Sequence, residues 1–380
     1  MALIEHSGGI GGFVEYVQHK RSLVTSGRSA LLLSYIIGVF IFIESSITAL
    51  IAGAVGKPLC EKYKIPRAKL AFVCDSTSAP ISSLIVLNGW GALLLGLIST
   101  EIGKGMIGGD AVEILIDAVM YNFYSISALV VTFLAIYFNI NIGPMKAAKY
   151  EPSRVKLDIK HAKSMYYMIL PIFFMILSVF VFLYITGDGN ILKGSGSSSI
   201  FYTMVATLLF MLVYYVGSKN MSFITWGKTS YRGAKKLLSI AFILLLAFGI
   251  GSVTSELKTG LYLASLANEN LSIYLLAGVI FLLSGVISFS TGTSWGTFSI
   301  MIPVAIPMAV GMDVNVAMCI GAVISGGVFG DHCSPISDTT IISSLAAECD
   351  VIEHVRTQFP YALISGIIAL GFFLVFSFLA

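Results

Sequence analysis

The chain has 380 residues, a mean hydropathy of +0.90, 57% hydrophobic residues and only 11% charged ones. Soluble domains carry about 25% charged residues, so the composition excludes an ordinary soluble globular protein and points to a membrane protein. The net charge of +3, with no basic run interleaved with aromatics, gives no reason to expect a nucleic-acid partner.

Residues 1–28 are too polar and Gly-rich for a cleaved signal peptide. They are expected to form an interfacial segment that ends in His19-Lys20-Arg21 and Arg28. A transmembrane helix needs about 20 apolar residues. The run 29–56 exceeds that length, has Lys and Arg on both flanks, and carries Glu44-Ser45-Ser46 near its centre. Because Lys and Arg favour the cytoplasmic side, a segment positive at both ends reads as a re-entrant hairpin with Glu44, Ser45 and Ser46 at its tip. Residues 68–99 are too long for one straight span and contain Asp75-Ser76-Thr77-Ser78-Ala79-Pro80-Ile81-Ser82-Ser83. Proline and a run of hydroxyl residues predict two half-helices joined by an unwound stretch. The loop beyond, with Glu101, Asp110, Glu113 and Asp117, suits the outer face.

Four ordinary crossings are expected at about 118–140, 164–187, 198–217 and 237–255. Their loops alternate between Lys/Arg-rich (141–163, 218–236) and Lys/Arg-poor (188–197, 256–270), as the positive-inside rule requires. The next apolar run, 271–311, is interrupted by Ser288 to Thr297, with Thr291, Gly292, Thr293 and Ser294 at the centre. It fits either two full crossings or a second hairpin. Residues 314–347 are again overlong, and Asp331-His332-Cys333-Ser334-Pro335-Ile336-Ser337-Asp338 interrupts them. A final helix is expected over 360–380.

The two polar interruptions resemble each other, and each follows an apolar run with a Ser/Thr tip. Counting crossings from the first hairpin puts the second on the opposite side of the membrane. The expected fold is therefore all-α, a polytopic membrane protein with inverted repeats, two re-entrant hairpins and two broken transmembrane helices. Residues 29–117 and 256–359 would form the transport part, and 118–255 the connecting helices. Transporters of this plan hold substrate and ions in discontinuous helices at the midplane.

Carboxylates in an apolar setting are usually paired, face a wet cavity, and mark an ion or proton path. Asp75, Asp331 and Asp338 are the candidates to hold Na⁺. Ser76, Thr77, Ser78, Ser334, Ser337 and Thr339, together with freed carbonyls, would supply the oxygen ligands that hard cations prefer. Asp338 equally suits a helix N-cap. His332 is a candidate pH sensor or relay, or a structural partner of a carboxylate. No HExxH, GxSxG or conventional metal-ligand spacing suggests an enzyme. The five cysteines form no CxxC pair, and three lie in apolar stretches, as buried reduced thiols do.

The stretches KLAFVCDSTSAPISS (69–83), STGTSWGT (290–297) and FGDHCSPISDTT (329–340) resemble the NhaC-type Na⁺/H⁺ antiporter family of the ion transporter superfamily, over most of the chain. The resemblance implies a prokaryotic plasma-membrane antiporter working by alternating access, with Na⁺ and H⁺ as transported ions and no cofactor. Some relatives exchange a small organic anion or amino acid instead. It also implies a homodimer with a scaffold and a moving transport domain. The family usually has helices before the first hairpin, so this sequence reads as an N-terminally short form.

Overall fold

The computed structural model describes residues 2–9, 11–12, 15–16, 24–42, 44–152, 163–189, 196–236, 238, 253, 256–257, 262 and 272–379. Among them every regular element is helical, as expected. In chain order these are α1 (Ala2–His6), α2 (Gly27–Phe40), α3 (Ser45–Lys62), α4 (Arg67–Leu84), α5 (Gly89–Gly103), α6 (Ala111–Met120), α7 (Phe123–Tyr137), α8 (Tyr166–Thr186), α9 (Gly196–Gly217), α10 (Phe223–Lys236), α11 (Leu276–Thr291), α12 (Ser294–Gly311), α13 (Val316–Cys333), α14 (Asp338–Ala347) and α15 (Val351–Leu379). By length and apolarity five of the spans can cross a membrane alone, those of α8, α11, α12, α13 and α15. The bent pairs α4–α5 and α6–α7 bring the number to seven.

Residues 1–25 and 153–242 form one compact unit. In it α8 and α9 lie side by side, with Phe174 and Phe210 stacked at 4.3 Å and the Tyr215 hydroxyl donating to the Tyr167 carbonyl at 2.6 Å. The stretch 218–236, expected as a loop, contains α10. The Ser222 hydroxyl accepts from Thr225 N–H at 3.1 Å and so starts that helix. Exposed Phe223, Ile224 and Tyr231 share α10 with four Lys or Arg residues, the make-up of a helix lying in a membrane interface. The crossing expected at 237–255 lies almost wholly outside the described residues.

Residues 26–152 and 243–380 form the second unit, which holds both repeats. Helices α2, α3, α4 and α5 have 14, 18, 18 and 15 residues; α11, α12, α13 and α14 have 16, 18, 18 and 10. Each set runs hairpin, long helix, break, short helix, so the repeat read from the sequence exists as a repeat of elements. Its register differs from the sequence match, however. Starting α4 and α13 together sets Asp331 opposite Ser82, and Asp75 opposite Ile324. The likeness of the two polar runs therefore does not mark equivalent positions.

The first break also moves. Helix α4 runs unbroken through Asp75–Ser83, and the chain bends by 42° only at 85–88. The hydroxyls turn back on the helix's own carbonyls: Thr77 donates to Val73 at 2.8 Å, Ser78 to Asp75 at 3.0 Å and Ser83 to Pro80 at 2.9 Å. Hydroxyls bonded this way bend a helix more often than they break it. The break is made by Asn88, which caps α5 through Trp90 N–H and Gly91 N–H and donates to the carbonyls of Ser82 (2.8 Å) and Phe42 (2.9 Å). The second break falls at 334–337, as expected, and there the Ser334 hydroxyl donates to the Phe289 carbonyl at 2.8 Å. In each repeat, one polar side chain at the break thus holds a carbonyl near the end of the first hairpin helix.

Two further expectations change. The crossing placed at 118–140 is a pair, α6 and α7, bent by 42°. Asn122 stands at the bend, donating to Ser83 Oγ at 2.9 Å and accepting from the Ser325 hydroxyl at 3.1 Å. The final helix begins at Val351, not 360, because Asp350 accepts from the N–H groups of Ile352 and Glu353, both at 3.0 Å.

The repeats are tied together at one end by charge. Glu348, left-handed (φ 55°) after α14, receives Lys57 of α3 and Arg67 of α4; Arg67 also reaches Glu61 at 3.0 Å. Inside the second repeat α11 and α13 touch backbone to backbone. A Cβ on Gly326 would collide with the Phe281 carbonyl, and one on Gly330 with the Gly285 carbonyl. Small residues permit this approach in membrane helices. Gly326→Ala is expected to cost about 1–3 kcal/mol by overpacking, read as a lower unfolding midpoint in detergent. An unchanged midpoint would contradict the contact.

Candidate functional site

Five helices and one break bring a set of buried polar side chains together in the second unit. Helix α4 contributes Asp75, whose side chain is fully buried. Helix α13 ends in Asp331 and His332, each 1% exposed. The break and α14 supply Ser337, Thr339, Thr340 and Ser343. Helix α15 supplies His354 and Gln358, and α7 supplies Tyr124, all buried.

Among the described residues, the hydrogen-bond donors to the two carboxylates are neutral. Asp331 accepts from the Ser337 hydroxyl at 2.9 Å and the Thr339 hydroxyl at 2.8 Å, one on each oxygen. Asp75 accepts from Gln358 Nε2 at 2.6 Å and from the hydroxyls of Thr340 and Ser343, both at 3.3 Å. The Thr340 hydroxyl also lies 3.4 Å from the main-chain carbonyl of Asp331, so one hydrogen stands between the two halves of the site. Gln358 makes a second link, since its Nε2 also donates to the carbonyl of His332 at 2.9 Å.

His354 sits behind Asp75, with Nε2 3.8 Å from the carboxylate and 3.0 Å from Gln358 Oε1. Because the Gln358 amide nitrogen faces Asp75, its oxygen accepts and His354 Nε2 carries the hydrogen. The other ring nitrogen is 2.8 Å from the Ser344 hydroxyl, which lies 2.8 Å from the Thr340 carbonyl. That hydroxyl can point to the ring or to the carbonyl. His354 can therefore accept a second proton at Nδ1 while every heavy atom stays in place. His332 is bonded at Nδ1 to the Tyr124 hydroxyl at 3.0 Å, and its Nε2 has no hydrogen-bond partner among the described residues.

Of the residues singled out from the sequence, Asp75, Asp331, His332, Ser337 and Thr339 gather here. Ser76, Thr77 and Ser78 are buried on α4, and the last two bond to its own carbonyls. Ser334 ties the break to α11. Asp338 is exposed, and its oxygen accepts from Thr339 N–H at 2.8 Å. The N-cap of α14 is Ser337, not Asp338, its hydroxyl accepting from Thr340 N–H. The tip residues act locally. Glu44 caps α3 through Ser46 N–H and Ile47 N–H, next to Ser45. Thr293 caps α12, Gly292 is left-handed at φ 68°, the Thr291 hydroxyl donates to Ile287 and that of Ser294 to Gly327.

Thr340, Ser343, His354, Gln358 and Tyr124 escaped the sequence reading. The signal for two of them was present: His354 and Gln358 are four apart, and so share one face of a helix. Among the described residues all five cysteines are free, four of them buried, and no three His, Cys, Asp or Glu side chains converge as a metal site. Any cation at either carboxylate would draw the rest of its shell from hydroxyl and carbonyl oxygens.

The sequence profile described as "Na+/H+ antiporter family" matches residues 89–378. An uncharacterized protein of Haemophilus influenzae is 31% identical over 95% of this chain and 73% of its own length. An uncharacterized Na⁺/H⁺ antiporter of the same organism is 40% identical over 24% of this chain and 20% of its own. The malate-2H⁺/Na⁺-lactate antiporter of Bacillus subtilis is 35% identical over 28% and 23%. The chain belongs to the Na⁺/H⁺ antiporter family, a family of secondary transporters, as its three motif stretches implied.

Proposed function

We propose that the chain exchanges Na⁺ for H⁺ across a prokaryotic plasma membrane by alternating access, with Asp75 and Asp331 as the groups the two ions share. The observation that carries this reading is the pair of fully buried carboxylates, both satisfied by neutral donors and joined through Thr340. A carboxylate removed from water is costly unless something neutralises it. A proton or a small cation does so equally well, and the two compete for the same oxygens. The surrounding hydroxyls suit both states, since each is donor and acceptor. They donate to the bare carboxylate and turn a lone pair to a hard cation when one is present.

The repeats over 29–117 and 256–359 would move as the transport part, against a scaffold drawn from 118–255. The breaks at 85–88 and 334–337 would act as the hinges. Bacterial relatives support a prokaryotic plasma membrane, and the homodimer rests on the family resemblance alone. A second reading is Na⁺- or H⁺-linked exchange of a small organic anion or amino acid, favoured by the match to a malate-2H⁺/Na⁺-lactate antiporter.

In proteoliposomes holding a pH-sensitive dye, an imposed Na⁺ gradient is expected to drive a proton flux that Asp331→Asn and Asp75→Asn each reduce to background, with both proteins folded. No sodium-dependent flux from the wild type, alongside uptake of labelled lactate or malate, would favour the second reading. Gln358→Leu removes a charged hydrogen bond of about 1.5–3 kcal/mol and is expected to slow exchange by about 10- to 100-fold. A wild-type rate would detach Gln358 from the site.

A further inference from the structure

A second site lies at the other end of α4. A cavity of about 680 Å³ opens between the starts of α2 and α4 and the end of α7, and its lining includes Arg28, Lys64, Lys69 and Lys146 but no acidic residue. Lys69 is 6% exposed. Its ammonium is held by two neutral oxygens, Asn139 Oδ1 and Asn141 Oδ1, both at 2.8 Å, and pairs with no carboxylate among the described residues. A buried charge is normally paired, so this one lacks its counter-ion.

The other features of the cavity bear on which counter-ion would fit. Asn139 and Asn141, whose oxygens hold Lys69, both line the cavity, and each amide also has NH₂ hydrogens to offer an anion. Pro66, which also lines it, gives α4 no side-chain cap. The first N–H groups of that helix therefore have no capping oxygen, and a helix start of this kind attracts anions. Arg28 is positioned over the Tyr137 ring at 5.8 Å. The remaining wall is apolar, with Leu31, Ile65, Ile136 and Met145. Several cations and amide donors beside an apolar wall match a phosphate ester that carries a hydrocarbon part.

We propose that this cavity binds the phosphate of an anionic phospholipid headgroup. The Lys/Arg-rich flanks around it have the charge of a cytoplasmic face, where basic pockets between transmembrane helices take up anionic headgroups. Lys69 stands on the same helix as Asp75, two turns away, so occupancy of the cavity bears directly on the helix that carries a carboxylate of the transport site.

The test titrates the detergent-purified full chain with short-chain phosphatidylglycerol, phosphatidylcholine or inorganic phosphate, reading the unfolding midpoint. Phosphatidylglycerol is expected to raise the midpoint and phosphatidylcholine to leave it unchanged. The double variant Arg28→Gln/Lys146→Gln, altered only at exposed side chains, is expected to bind phosphatidylglycerol about 30-fold more weakly, at about 1 kcal/mol per cation lost. Equal stabilisation by phosphatidylcholine, or unchanged phosphatidylglycerol binding by the variant, would overturn the proposal. Inorganic phosphate acting as strongly as phosphatidylglycerol would overturn the lipid assignment and identify a soluble anion in its place.

Discussion

The burial of two carboxylates governs this structure. Asp75 and Asp331 are out of contact with solvent, inside a largely apolar helical body. The concentration of Ser, Thr and Gln around them follows from that constraint, because each carboxylate oxygen needs a donor. So does the break at 334–337, which frees Ser337 and the first turn of α14 to face Asp331. Backbone irregularity at membrane depth is tolerated where protein covers it, and here the caps Ser337, Asn88 and Asn122 absorb its cost.

The fold was legible in its parts and less so in its joints. Apolar runs located the helices, and the repeat of hairpin, long helix, break and short helix could be read from lengths and polar interruptions. The position of the first break could not. The Ser/Thr/Pro run at 75–83 looks like a helix breaker, yet its hydroxyls satisfy the helix's own carbonyls, and the break belongs to Asn88. Local composition cannot separate these outcomes, because the deciding contact, Asn88 to Phe42, joins residues distant in the chain.

The site was legible where charge stood alone in apolar sequence, at Asp75, Asp331 and His332. It was hidden where polarity was ordinary for its surroundings. Gln358 and His354 lie beside the acidic stretch 348–353 and read as a loop, but the helix they belong to starts early and carries them into the core beside Asp75. Asp338 shows the reverse. Its charge made it conspicuous, while its place at the start of α14 turns it to the outside and leaves the capping to Ser337.

The central claim, that Na⁺ and H⁺ compete for the same buried oxygens, is tested most directly by calorimetric titration of the purified protein with Na⁺ at several pH values, in buffers of different ionisation enthalpy. The account predicts that Na⁺ binding releases protons and weakens as the pH falls, and that Asp75→Asn or Asp331→Asn abolishes the release. Sodium binding that is independent of pH and releases no proton would contradict it.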